Sequence, residues 1–79
     1  MQKKRFYVVE CLREEGLRCV RVIRTLNTNE TLSSAFAFLR GYVAKSKEGW
    51  VQSSAVWQRG DWHHVLAVVD DNDYICKPM

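Results

Sequence analysis

The residues most able to do chemistry in this chain are its two adjacent histidines, its three cysteines and a run of aspartates near the end. His63 and His64, with Asp61 and Cys76, are types that ligate zinc. Neighbouring residues of a strand point to opposite faces, however, so the two imidazoles do not serve one ion, and no metal site or cofactor is expected. Cys11 with His64 would make a nucleophile and base, but nothing local to either residue brings them together or activates the thiol. Asp70, Asp71 and Asp73 resemble a calcium loop in composition alone. The central glycine and distal glutamate such a loop needs are missing, and Tyr74 and Ile75 follow instead. Gly16, Gly41, Gly49 and Gly60 are isolated, with no phosphate-cradling pattern. Arg59-Gly60-Asp61 matches a tripeptide displayed by integrin ligands, but three residues recur by chance, and Gly60-Asp61 has a turn to make. No catalytic constellation results, and no small-molecule substrate is expected.

Two surfaces rise above that background. Lys3, Lys4, Arg5, Arg18, Arg21 and Arg24 gather in the first third of the chain. Up to residue 26 there are seven basic residues against three acidic, and afterwards five against six. Such a pole suits phosphates or an acidic protein surface, with Tyr7 placed to stack on a base. The second surface lies on the one segment with helical periodicity, residues 28–50. There Leu32, Phe36, Leu39 and Val43 form an apolar stripe, while Ser34, Ala37, Gly41 and Ala44 line the opposite side and Phe38 sits on its flank. Charged residues normally occupy a helix's outer side, so a partner backbone or a second copy of the chain is expected to pack there. Asn27, Thr28 and Asn29 offer N-caps, Glu30 suits the N-terminal dipole, and Gly49 is the expected stop.

The elements around that helix read as strands. Residues 6–12 and 17–26 form a hairpin through Arg13-Glu14-Glu15-Gly16, with Leu12 opposite Leu17. That register groups Tyr7, Val9, Cys11, Val20 and Val22 on one face, with Glu10 and Arg21 as a diagonal pair on the other. Both faces are apolar, a one-residue bulge would exchange them, and cover on both sides is expected. Residues 50–58 and 62–70 form a second hairpin with Arg59 opposite Trp62, and 74–77 a short last strand. The expectation is a single α+β domain over 1–79 in the order ββαβββ, one helix packed on a mainly antiparallel sheet.

Composition fits that class. The chain has 79 residues, 47% of them apolar and 27% charged, with a net charge of +3. Neither a signal-peptide apolar run nor a membrane span is evident, and three cysteines without paired spacing point to free thiols in a reducing, cytoplasmic setting. A domain of this size without a reaction centre suits occupying a surface. The expected role is a non-catalytic protein-binding module: an adaptor, a subunit or a small inhibitor of a larger, nucleic-acid-handling assembly, of the kind phages and mobile elements carry. Direct nucleic-acid binding by the basic hairpin is the alternative.

Overall fold

The computed structural model describes residues 4–13 and 19–77, with residues 20 and 61–63 described by backbone alone. The element order is β1 (Phe6–Arg13), β2 (Cys19–Asn29), α1 (Leu32–Lys45), β3 (Val51–Ser53), β4 (Val56–Arg59) and β5 (Asp61–Val69). All five strands join one antiparallel sheet in the order β2-β1-β5-β4-β3. The fold is therefore α+β with ββαβββ order, one helix lying on one sheet.

The members of that order differ from expectation at the C-terminal end. The single strand expected over 50–58 is two strands, because Ser54 adopts a positive φ of 56° and turns the chain between β3 and β4. The expected last strand is only an isolated bridge between Val69 and Ile75. β4 pairs with β5 through Trp57–Leu66 and Gln58–Val65, two residues away from the expected register. A slip of two preserves the face of every side chain, so Trp57 and Leu66 still share one side. Gly60 turns that hairpin at φ 70°, a conformation glycine adopts without a Cβ penalty.

The helix is shorter than the 28–50 segment. Asn27, Thr28 and Asn29 belong to β2, and Thr31 is the N-cap, its Oγ1 accepting the Ser34 N–H at 3.1 Å. No acidic residue lies in the first turn, so Glu30 falls before it. The C-cap is Ser46, whose N–H donates to the Tyr42 and Val43 carbonyls, and not Gly49. Ala35, Phe36 and Leu39 are buried, so the apolar stripe faces the sheet as its spacing requires.

The first hairpin holds the larger correction. Leu12 pairs with Arg21, four residues from the expected Leu17, which lies outside the described residues along with Gly16 and the turn. β2 has 11 residues against 8 in β1, and the register shifts three times along the pair. Each shift places one extra β2 residue between paired neighbours: Val20, Ile23 and Leu26, at intervals of three. Bulges of this kind increase local twist and coil a strand.

Both sheet faces are buried. The helix side holds Val8, Leu66, Val68, Trp57 and Trp50 against Ala35, Phe36 and Leu39. The other side holds Val9, Cys11, Cys19, Val56, Val65, Ala67, Val69 and Ile75. The coiled β2 and the segment after β5 close this second side. The Cys19 N–H donates to the Asp73 carbonyl at 2.9 Å, and the Tyr7 hydroxyl donates to Asp71 Oδ1 at 2.8 Å. The chain itself thus covers both faces of β1, while Arg21, Val22, Ile23, Arg24 and Thr25 of β2 stay exposed. Cys11 and Cys19 pair as a disulfide with Cα atoms 6.3 Å apart, leaving Cys76 as the free thiol. The expectation of three free thiols is overturned. The bulge at Val20 carries Cys19 onto the face of Cys11, which regular spacing does not reveal.

Candidate functional site

Among the outer-face helix residues, Ser34, Ala37, Gly41 and Ala44 are all exposed. A Cβ placed on Gly41 would meet nothing within 4 Å, so no internal packing requires glycine there. Phe38 turns inward instead, half-buried against the helix-side core and stacked on Tyr42 with ring centroids 6.4 Å apart. The only charged residues within α1 are Arg40 and Lys45, both exposed, and Arg40 lies over the Phe36 ring at 5.8 Å. The surface is narrow, uncharged along its centre and basic at its borders.

The described basic residues of the first third do not form one cluster. Lys3 and Arg18 lie outside the described residues. Lys4 and Arg5 sit before β1, beside the turn that carries Asp70 and Asp71, and the Arg5 N–H approaches Asp71 Oδ2 at 3.5 Å. Arg21 stands at the other end of the hairpin opposite Leu12, the full length of β1 away, on the order of 20 Å. Arg24 is engaged: its Nε donates to Glu10 Oε1 at 2.7 Å and its Nη2 to the Tyr42 hydroxyl at 3.0 Å. The proximity of that carboxylate pushes the Arg24 pKa up. Glu10 therefore pairs with Arg24 directly across the strands, and not with Arg21 diagonally.

That pair opens onto a network that sequence spacing does not disclose. Glu10 Oε2 lies 2.5 Å from His64 Nε2, and the His64 ring packs T-shaped with Trp50, centroids 5.7 Å apart. Arg59 lies over the Trp50 ring at 5.2 Å and pairs with Glu48 at 3.0 Å, while the Trp50 indole N–H donates to the same carboxylate at 3.1 Å. Burial pushes the Glu10 pKa up, but hydrogen bonds from His64 and Arg24 outweigh it, and the carboxyl titrates below its ordinary value of 4.5. One signal was available beforehand. Glu10 is the one carboxylate of β1, set between Val9 and Cys11, and a carboxylate there needs partners.

The remaining candidates for chemistry resolve into structure. Cys11 lies on the sheet face opposite His64 and is bonded to Cys19, so the two form no dyad. Asp70 Oδ1 accepts the N–H groups of Asn72 and Tyr74, closing the turn before Ile75. Asp71 holds Tyr7, whose phenol is pushed up by that hydrogen bond. An open cavity of about 290 Å³ lies between Tyr7, Val9 and Val22 on one wall and Asp70, Asp71 and Asp73 on the other. Among the described residues no three His, Cys, Asp or Glu side chains converge as a metal site. No helix among them is long and apolar enough to cross a membrane. The Cys11–Cys19 pair also removes the unpaired-cysteine argument for a reducing compartment. Comparison with protein families, with curated proteins and with solved structures finds no match to this chain.

Proposed function

We propose that this chain is a non-catalytic protein-binding domain whose contact surface is the outer face of α1. It would act by covering part of a larger assembly as an adaptor, a subunit or a small inhibitor of the kind mobile elements carry. The observation behind this reading is that Ser34, Ala37, Gly41 and Ala44 stand exposed on a helix whose opposite face is fixed to the sheet. Small side chains on a rigid helix allow another backbone to approach closely, and little side-chain entropy is lost when they are covered. The partner is a second copy of the chain or a different protein.

Direct nucleic-acid binding through the first hairpin draws less support. Lys4 and Arg5 sit beside Asp71, far from Arg21, and Arg24 already uses two of its donors on Glu10 and Tyr42. Cooperation of Lys and Arg along a phosphate backbone needs them on one track.

Sedimentation velocity of the wild type and of Ala37→Arg tests the reading, together with capture of protein partners on each immobilised form. Self-association or a captured partner that Ala37→Arg abolishes, with an unchanged circular dichroism spectrum, is the expected result. Identical masses and identical captured proteins for the two forms would overturn the helix face as the contact surface.

A further inference from the structure

The helix-side face of the sheet extends one row beyond the helix. β1 pairs with β5 without a register shift, so Phe6, Val8, Glu10 and Leu12 share this face. The last row runs Arg21, Leu12, His64 across β2, β1 and β5. α1 closes the core over Val8, Leu66 and Val68, and its Tyr42 reaches Arg24, but Leu12 lies outside that cluster and is 37% exposed. We infer that this open row, with Arg24 beside it, docks an acidic segment of another polypeptide, carboxylates against the arginines and an apolar side chain over Leu12. It is a surface separate from the outer face of α1, and the two stand or fall independently.

Charge complementarity selects the partner. Arg21 is exposed and, among the described residues, carries no ion pair. The Arg24 side chain is 54% exposed, and only two of its five N–H donors are taken by Glu10 and Tyr42. Arg59 borders the patch beyond Trp50. Among the described side chains, the two carboxylates beside the row are already engaged, Glu10 by Arg24 and His64 and Glu48 by Arg59 and the Trp50 indole. Three arginines face two carboxylates among those described side chains, and the charge left over is positive. Arg24 is also held in place before any partner arrives, which lowers the ordering cost of binding.

Aromatic availability separates polypeptide from nucleic acid. Single strands are held on open aromatic faces with bases stacked along them. Here Tyr42 is stacked on Phe38 and its hydroxyl is taken, and Trp50 is 8% exposed beneath Arg59. What the row offers in the open is an isobutyl group beside the guanidiniums of Arg21 and Arg24, the complement of an aliphatic residue among carboxylates.

The test is fluorescence anisotropy of a labelled synthetic peptide of alternating Asp and Leu, beside a labelled single-stranded oligothymidylate, at about 50 and 200 mM salt. The peptide is expected to bind in the micromolar range at the lower salt. Arg21→Glu and Leu12→Ser should each weaken it about tenfold, with circular dichroism unchanged, while Ala37→Arg leaves it unaltered. The inference is overturned if the peptide fails to bind at ~100 µM, or if neither substitution at the row weakens it. Tighter binding of the oligothymidylate, lost with Arg21→Glu, would overturn it too and assign the row to nucleic acid. Because Ala37→Arg probes only the helix face, failure of this inference leaves the other reading untouched.

Discussion

The β4–β5 and β1–β2 hairpins of this sheet are built by opposite means and bury their residues to different extents. β4 and β5 pair with one irregularity, at the turn, and rely on side-chain alternation: Leu66 and Trp57 face the helix while Val65 and Val56 face away. β1 and β2 pair with three shifts, and β2 keeps Arg21, Val22, Ile23, Arg24 and Thr25 exposed while β1 stays buried through Val8, Val9 and Cys11. A central strand must alternate cleanly because both its faces are packed. An edge strand is under a different pressure, since its free backbone groups invite pairing with another chain, and bulges blunt that edge. β5 carries the core, whereas β2 carries protection and side-chain placement.

The contrast is broken most directly by truncating one residue in each. Leu66 is fully buried, and Leu66→Ala should cost roughly 2–5 kcal/mol, through lost transfer energy and the cavity left behind. Ile23 sits at a bulge and is 48% exposed, so Ile23→Ala should change stability by about 0.5 kcal/mol or less. Urea melts of both variants, analysed at constant m-value, report the difference. Equal costs would mean that β2 is as much a core element as β5.

A smaller effect is expected at the cross-link that fastens the bulged hairpin. Cys11 and Cys19 enclose a loop of sequence separation 8, which in the chain-entropy picture contributes roughly 2.5 kcal/mol. Cys11→Ala with Cys19→Ala, or reduction by a dithiol, should lower the urea midpoint accordingly. Cys76→Ala, which removes no cross-link, should shift it much less. If reduction leaves the midpoint in place, the curl of β2 is held by its bulges and by the Cys19–Asp73 hydrogen bond alone.

Legibility in the sequence follows the same division. The stripe of Leu32, Phe36, Leu39 and Val43 locates the helix because helical period is a property of the element itself. Trp57 and Leu66 fall on their correct face even with the register misjudged, since a slip of two is invisible to alternation. β2 was not legible. Three inserted residues at 20, 23 and 26 shift the pairing, so Arg24 stands across from Glu10 and Cys19 lies on the side of Cys11. Helix ends were misplaced because three plausible caps precede Thr31, and only the position where β2 stops decides among them. The network through Glu10 and His64 joins residues 54 positions apart, and only the pairing of β1 with β5 brings them together.

That network is where the regular and bulged regions meet, and its charges are expected to contribute less than the core leucine or the cross-link. Glu10 reaches His64 of β5 on one side and Arg24 of β2 on the other, and its carboxyl titrates below the ordinary value of 4.5. A carboxylate depressed in the folded state stabilises the fold while pH stays above its unfolded value. That stabilisation fades as pH falls from about 4.5 through the lower folded value. Glu10→Gln retains the size and one acceptor but removes the charge. It should cost about 1 kcal/mol at neutral pH, below the usual range for a charge-assisted hydrogen bond because Arg24 is half exposed and solvent screens the pair. In the variant, the loss of stability between neutral pH and the acid side of 4.5 should be shallower than in the wild type, since one carboxylate no longer takes up a proton on unfolding. Parallel stability–pH curves for the two proteins would place the acid sensitivity elsewhere. The meeting point of the two hairpins would then be held by packing around Trp50 and Leu66, with the charges of Glu10 and Arg24 contributing little.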